Sequence, residues 1–449
     1  MLDLVDRLRV EAICALLSCC LTLPASAAEL PHKPNIVFFF SDDHGVEDTG
    51  FYGHPLLKTP VIDQLAAEGM RFTRAYSPAS VCAPSRSATY TGLFPHRNGC
   101  DRNHGTTTAD VKSWPHYLKA LGYDVVLAGK VHVKPKKKFP FRYIAEDDVP
   151  DFLAQAGEQP FCLLICYRTP HGPFFNKKGG YNPDRVPAKN WLPDTPVTRQ
   201  LIAGYYDNID NLDHELATHL YWLHKCGFDD AVQIYASDHG AGLPFGKWTL
   251  YDKGIHVPLI IKWKDVIAPG STSDAMVSLV DLLPTVIEIA GGTPPADIDG
   301  KSLLPILTGK TTTHRDRIFA TYTNLGVKGA NEYPIRAVQS PTHKLIVNLK
   351  PENQFSMEAI DESDPRSVVD SFAVLKSWKA AGQTDPAIAA RADLLRKRPR
   401  LELYRTDSDP DELENIADRP EQQAVVEQLY TELRKWMQQQ GDPLVERMD

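Results

Sequence analysis

The chain has 449 residues, of which 43% are hydrophobic and 24% charged, with a formal net charge of −8 at pH 7. That length and apolar fraction suit one large globular domain plus a smaller one and exclude a natively disordered chain. The negative balance argues against nucleic acid as the main partner, because such binding is driven by phosphate neutralisation on a basic surface; an anionic ligand would need a local basic site.

Residues 12–23 form an apolar stretch of signal-peptide length, and Ala25-Ser26-Ala27 supplies a small-x-small cleavage site. Residues 1–27 therefore read as an export signal, with a periplasmic or secreted product. Leu17-Ser18-Cys19 could alternatively be a lipoprotein box that leaves a lipid anchor. No downstream run approaches the 18 or so apolar residues that cross a bilayer, so no transmembrane segment is expected. Of the eight cysteines, Cys82, Cys100, Cys162, Cys166 and Cys226 lie beyond this leader. Cys162 and Cys166 would share one face of an apolar strand and read as core.

Ile36-Val37-Phe38-Phe39-Phe40 is a continuous apolar run, the pattern of a buried parallel strand. Ser41-Asp42-Asp43-His44 follow at its carboxyl end, where open α/β sheets collect ligands; two adjacent carboxylates there suit a cation better than plain solvation. Residues 60–69 have helical spacing and a glycine stop, and a short strand then delivers the chain to Cys82. Next come a helix over 114–121 and a strand over 123–128, ending in Gly129-Lys130-Val131-His132. A strand over 161–167 ends in Arg168-Thr169-Pro170-His171. A long helix, 198–226, precedes a strand over 231–236 that ends in Ser237-Asp238-His239-Gly240. Strands alternating with helices to about residue 310 predict a doubly wound α/β domain over 32–310, with five polar clusters converging on one sheet edge. Short strands near 334–338, 344–347 and 402–404, with an amphipathic helix over 420–440, predict a smaller α+β domain over 311–449.

The sharpest motif is Ser80-Val81-Cys82-Ala83-Pro84-Ser85-Arg86, running into Ser87-Ala88-Thr89-Tyr90-Thr91-Gly92. Pro84 suits the first turn of a helix, which places Cys82 just before the amide-rich, anion-accepting end. For an isolated cysteine the plain alternative is a buried structural thiol. The Cys-x-Pro-Ser-Arg pattern resembles the signature of the type I sulfatases, whose cysteine is oxidised after synthesis to formylglycine (3-oxoalanine). Ser41-Asp42-Asp43, Gly122-Tyr123 through His132, Thr169-Pro170-His171, and Ser237 to Gly240 with Gly246 to Tyr251 resemble further elements of the same family, in the family's order. Leu192 to Pro196, Tyr333 to Gln339 and Arg398 to Tyr404 resemble its sulfamidase branch, the N-sulfoglucosamine sulfohydrolases (heparan N-sulfatases).

The resemblance implies an alkaline-phosphatase-like fold and an exported enzyme that removes sulfate from a sulfated saccharide, the N-sulfate of a terminal glucosamine in heparan-type chains by the branch. It implies a formylglycine nucleophile at Cys82, made by a formylglycine-generating maturation enzyme, and a divalent cation held by Asp42, Asp43, Asp238 and His239 together with the modified Cys82. Hard oxygen ligands favour Ca²⁺ or Mg²⁺, and the histidine leaves room for another divalent ion. Arg86, four residues along the helix, is expected to return to the Cys82 face and steady the hydrated aldehyde. Lys130 and Lys247 would contact the sulfuryl oxygens; His132 is the candidate base and His171 the candidate acid, both titrating near neutral pH. Arg336 is read as a hand reaching from the small domain to an acid group or second sulfate, and His44 and His104 as possible substrate contacts. Asp238-His239-Gly240 and Lys247 are typical of other sulfatases, which keeps an O-sulfated hexosamine or uronate open as the substrate. A formylglycine-dependent phosphodiester or phosphonate monoester hydrolase also remains open.

Lys134, Lys136, Lys137 and Lys138 follow His132 and read either as a solvated face or as a guide for a polyanionic sugar. Asp407, Asp409 and Asp411 imitate the start of a calcium loop, but Glu412 stands where that loop needs glycine, so the stretch reads as a surface turn.

Overall fold

The computed structural model describes residues 33–108, 110–174, 179–361 and 369–449. The leader read over residues 1–27 lies outside them. The principal strands are β1 (Ile36–Asp42), β2 (Met70–Phe72), β3 (Ala75–Tyr76), β4 (Asp124–Gly129), β5 (Arg142–Ile144), β6 (Phe161–Pro170), β7 (Val232–Ser237), β8 (Leu259–Lys262), β9 (Ser271–Ser273), β10 (Val277–Ser278), β11 (Ile318–Tyr322), β12 (Ile335–Gln339), β13 (His343–Asn348) and β14 (Leu401–Arg405). Eight of them form one sheet in the order β5-β4-β6-β1-β7-β8-β2-β9.

The apolar run of β1 is continuous because both faces of this sheet are covered. Ile36, Phe38 and Phe40 pack with Val125, Leu127, Leu164 and Ile234 beneath the Trp114–Ala120 and Leu282–Ile289 helices. Val37 and Phe39 face the other way, with Leu163, Ile165 and Tyr235, beneath the Pro60–Glu68 and Pro196–Lys225 helices. Cys162 and Cys166 are buried on the first of these faces, as their spacing predicts.

β1 runs parallel to β6 and β7, and β4 runs parallel to β6, so the carboxyl ends of β1, β4, β6 and β7 share one edge. The sheet departs from a simple parallel series at β8, which is antiparallel to both β7 and β2. The 21 residues between β7 and β8 contain no crossover helix of the length a parallel return requires, and the chain simply doubles back. The strand read before Cys82 is split: β2 joins the large sheet, whereas β3 pairs with β10 outside it. The fifth cluster of the shared edge therefore arrives on a helix.

The second sheet is antiparallel, ordered β11-β12-β13-β14. One face packs Val338, Leu345, Val347 and Leu403 against Leu429, Leu433 and Trp436 of the Gln423–Gln439 helix. The other face, with Ile335, Ala337, Ile346 and Tyr404, shares a core with Tyr205, Phe245 and Tyr251 of the large sheet's surroundings. Residues Lys33–Asp449 accordingly form a single compact unit, although the two sheets occupy successive parts of the chain.

Candidate active site

The site is built where the four parallel strand ends meet the N-terminus of the Cys82–Thr91 helix. Cys82 is the first helical residue and Val81 the N-cap, so the helix begins one position earlier than the Pro84 rule predicts. The thiol is buried, with Sγ 3.4 Å from His239 Nε2 and 3.6 Å from Lys247 Nζ. Burial and the Asp42 charge raise its pKa, but Lys130, Lys247 and His239 outweigh them and bring it down to about 6. This is a reactive, anion-stabilising position rather than an inert core thiol.

Asp42 and Asp43 leave the end of β1, Asp43 with a φ of 72° that aspartate tolerates better than most residues. Tyr205 holds this turn: its hydroxyl donates to the Asp43 carbonyl at 2.8 Å and accepts from Gly45 N at 3.0 Å. Lys130, just beyond β4, bonds to Asp42 Oδ2. Lys247 Nζ donates to both Asp43 oxygens, at 2.8 and 2.9 Å. Burial alone would raise both carboxyls, but Lys130 beside Asp42 and Lys247 beside Asp43, with His171 near both, hold them well below the usual range.

Asp238 and His239 follow β7. His239 Nε2 lies 3.0 Å from Asp43 Oδ1 and 3.7 Å from Asp238 Oδ1. Despite complete burial, Asp238 and Asp43 lift its pKa to about 10. Asp238 is fixed from three sides: Arg86 Nε donates at 2.8 Å, Asp43 N donates at 3.2 Å, and Ser77 Oγ donates to its carbonyl at 2.7 Å. Arg86 does not reach back to the cysteine as the helix spacing suggests. Its guanidinium bridges the two strand ends, bonding Asp238 and the Ser41 carbonyl and lying 3.5 Å from Asp42 Oδ1, stacked over Phe40. Its remaining NH1 is buried without a partner.

The loop carrying Lys247 depends on glycine. A Cβ at Gly240 would sit 2.0 Å from the Lys253 carbonyl, and one at Gly254 would sit 2.4 Å from the carbonyls of Gly246 and Thr249. Only glycine permits these backbone approaches.

His171 is half-exposed, with Nε2 4.0 Å from Asp43 Oδ2. His132 is hydrogen-bonded through Nε2 to His104 Nδ1 at 2.8 Å, and its own Nδ1 is buried without a partner. Burial, Lys130 and Arg86 push its pKa down to about 3, so it does not titrate near neutrality as expected from sequence.

Two further sequence readings are corrected by the structure. Arg336 is fully buried and does not face a sugar site. Its guanidinium pairs with Asp442 at 2.5 and 3.0 Å and donates to the Tyr322 and Ile335 carbonyls. His44 is buried between the Tyr235 hydroxyl (2.6 Å) and the Asp48 carbonyl (2.8 Å), its pKa lowered to about 4 by burial, so it supports the β1 turn rather than contacting substrate. Asp407 to Asp411 form the surface turn that the sequence predicts; Glu412, which ends it, is buried, paired with Lys344 at 2.8 Å and accepting from Asp252 N at 2.6 Å. The supporting groups Ser77, Tyr205 and Tyr235 escape sequence reading, since isolated hydroxyls carry no periodic signal.

Ligating atoms of Asp42, Asp43, Cys82 and His239 lie within 4.8 Å of one another. Asp238 adjoins this group through His239 and Asp43 N. Asp42 Oδ1, fully buried, accepts no hydrogen bond. Clustered carboxylate oxygens, one imidazole and an orphaned buried oxygen fit a divalent cation.

Comparison with known proteins agrees with this geometry. The Sulfatase family matches residues 34–146 and 143–292, and a family described as N-sulphoglucosamine sulphohydrolase, C-terminal, matches residues 239–376. An ulvan-active sulfatase of Formosa agariphila is 34% identical over 94% of this chain and 83% of its own length. The human N-sulphoglucosamine sulphohydrolase is 28% identical over 96% of this chain and 95% of its own length. Among solved structures, a protein in complex with its substrate D-glucosamine-2-N,6-O-disulfate superposes with a TM-score of 0.70 at 20% identity, covering 92% of this chain and 99% of its own. The shared fold is the one the sequence resemblance implies. With a match through both halves of the large sheet and every strand-end cluster in place, the chain belongs to the sulfatase family and is a sulfatase.

Proposed function

We propose that this sulfatase is exported and hydrolyses sulfate from a saccharide by way of Cys82 oxidised to formylglycine. The observation that supports this most directly is the placement of Cys82: a buried side chain at a helix N-terminus, within 3.6 Å of both a lysine and a histidine that also contact Asp43. The hydrated aldehyde would supply an oxygen nucleophile and a second hydroxyl through which sulfate is expelled without renewed attack at sulfur. A divalent cation, calcium by its hard oxygen ligands, would be held by Asp42, Asp43, Asp238 and His239 and would acidify that hydroxyl.

The chain's own residues do the rest. Lys130 and Lys247, fixed on the two carboxylates of β1, present positive charge to the sulfuryl oxygens in a water-poor pocket. Arg86 locks the ends of β1 and β7 together, so the carboxylates keep their spacing while the substrate changes charge. His171, the most exposed of these groups, is placed to hold a proton at Nε2 for the leaving atom. His132, two residues beyond Lys130 with a buried Nδ1 that has no partner in the chain, is the candidate base by position, and its depressed pKa makes it a weak one.

For substrate, the reading is the N-sulfate of a terminal glucosamine, supported by the C-terminal family match and by the human relative. A second reading, an O-sulfated unit of a polysaccharide, is favoured by the ulvan-active relative and by His239 and Lys247. The phosphodiester or phosphonate alternative has support from the fold alone, a phosphonate monoester hydrolase being among the solved structures that superpose. Maturation would require a formylglycine-generating enzyme acting on Cys82. Mass spectrometry of the active protein should show the Cys82 peptide without its thiol; full activity from protein carrying only unmodified cysteine would refute the mechanism. Parallel turnover of N-sulfoglucosamine, O-sulfated hexosamine and uronate, and an aryl phosphate diester decides the substrate.

A further inference from the structure

The segment that supplies Lys130 and His132 continues into Lys134-Pro135-Lys136-Lys137-Lys138, and the structure shows where those lysines go. Thr107, His116, Pro135, Lys137 and Lys138 line an open cavity of about 450 Å³. A second cavity of about 430 Å³ shares His116 with the first and is lined also by Lys112, Tyr117, Leu121 and Ile287. Joined at His116, the two are treated as one trough, lined by Lys112, Lys137 and Lys138 beside apolar Tyr117, Leu121 and Ile287 and of the size that takes saccharide-sized ligands.

The walls are fixed. Thr107 N and Oγ1 donate to the Lys134 carbonyl at 2.9 and 3.2 Å, Ser113 Oγ donates to the Lys138 carbonyl at 2.7 Å, and Phe139 is fully buried. The backbone is thus anchored while the lysine side chains project: Lys112, Lys134 and Lys137 are exposed and Lys138 is half-buried. Among the described residues, none of these four has a carboxylate partner. Lys136 lies over the Tyr143 ring, 4.9 Å from its centroid, and Lys119 donates to the Pro140 carbonyl. Lys112, Lys138 and Lys119 all bear on His116 electrostatically, so their charges meet at one place. In a chain of net charge −8, an unneutralised basic patch of this kind is a local field for an anion.

We propose that this trough is a remote subsite for a sulfated polysaccharide, in which Lys112, Lys137 and Lys138 of the lining, with Lys134 on the adjoining segment, bind sulfate or carboxylate groups on units beyond the one whose sulfate is removed. The inference rests on the proposed saccharide substrate and extends it from a single sugar to a charged chain. Lys137 lies seven positions along the chain from Lys130, so no more than about 25 Å of backbone links the catalytic pocket to the trough. A chain held at both ends would gain effective concentration at the reacting unit without any change at sulfur.

The test uses a heparin-derived hexasaccharide as the polymer probe and 4-nitrophenyl sulfate as a small one. Binding of the hexasaccharide is measured calorimetrically on full-length Cys82→Ala protein, with and without Lys137→Ser/Lys138→Ser; Lys112→Ser/Lys134→Ser serves as a second pair. Either pair should weaken hexasaccharide binding about tenfold. In the Cys82 background, kcat/KM for 4-nitrophenyl sulfate should not change. Wild-type hexasaccharide affinity in both lysine variants overturns the proposal. So does absence of hexasaccharide binding with all lysines intact, or an equal loss on 4-nitrophenyl sulfate. Lysine-dependent binding by a protein that turns over no sulfate ester would leave the trough standing and remove the proposed function.

Discussion

Among the described residues, two arginines are fully buried and paired with carboxylates, yet they belong to different kinds of place. Arg336, on β12 of the small sheet, has every donating nitrogen used: Asp442 takes two and backbone carbonyls take the third. Arg86, beneath the edge of the large sheet, joins Asp238 and Asp42 but keeps a buried NH1 without a partner, beside an Asp42 oxygen that also lacks a hydrogen bond. A satisfied buried pair is a strut. An unsatisfied one among lysines and convergent carboxylates is a site, because orphaned buried polar atoms are costly unless a ligand completes them. The charge of an arginine in sequence does not distinguish the two.

The sharpest break in this comparison comes at Cys82. Cys82→Ala should reduce turnover by at least about 10³-fold with an unchanged far-ultraviolet circular dichroism spectrum. Activity within tenfold of wild type would remove the nucleophile from its assigned place. Asp42→Asn is the next largest expected effect. It preserves volume but removes one charge from the carboxylate cluster, and should lower bound cation, read by elemental analysis, and turnover by roughly 100-fold or more. Undiminished metal content would show that the ion sits elsewhere.

The arginines themselves give a smaller and more selective pair of outcomes. Arg336→Lys should lower unfolding stability by about 2–4 kcal/mol, since lysine cannot reproduce the fork to Asp442, while kcat/KM stays at the wild-type value. Arg86→Lys should lower kcat/KM as well, because it loosens the β1 and β7 ends on which Lys130 and Lys247 depend. A rise in KM for Arg336→Lys without loss of stability would restore the substrate role that its burial excludes.

The strand-end clusters were legible because period and position agree: continuous apolar runs in β1, β6 and β7 predict two covered faces, and parallel pairing then forces their polar ends together. The reversal of β8 was not legible, since a run such as Leu259-Ile260-Ile261 has the same pattern in either direction. Arg336 was misread for a related reason: its partner Asp442 lies 106 residues away, and no local spacing announces it. His132 was placed correctly near Lys130, but its bond to His104 and its depressed pKa depend on packing and neighbouring charge that only the folded chain provides.

A third setting for buried charge tests the comparison at its weakest point. Glu146, just beyond β5, is partly buried with no bidentate arginine; burial, then Glu215 and Asp147, raise its pKa to about 7, and Arg168 only partly offsets this. A carboxyl whose folded pKa lies above its unfolded value favours the folded state while protonated. That contribution is present in full below about pH 4.5 and is lost as pH rises through about 7. Asp42 and Asp43 have the opposite sign, being held low by their lysines. Glu146→Gln should therefore leave stability near pH 4.5 almost unchanged and raise it at pH 8, by about 1 kcal/mol or less once solvent screening of this partly exposed group is allowed for. Urea unfolding of both proteins at the two pH values reads the difference, and an equal shift at both would show that the substitution acts through packing rather than through the carboxyl's charge.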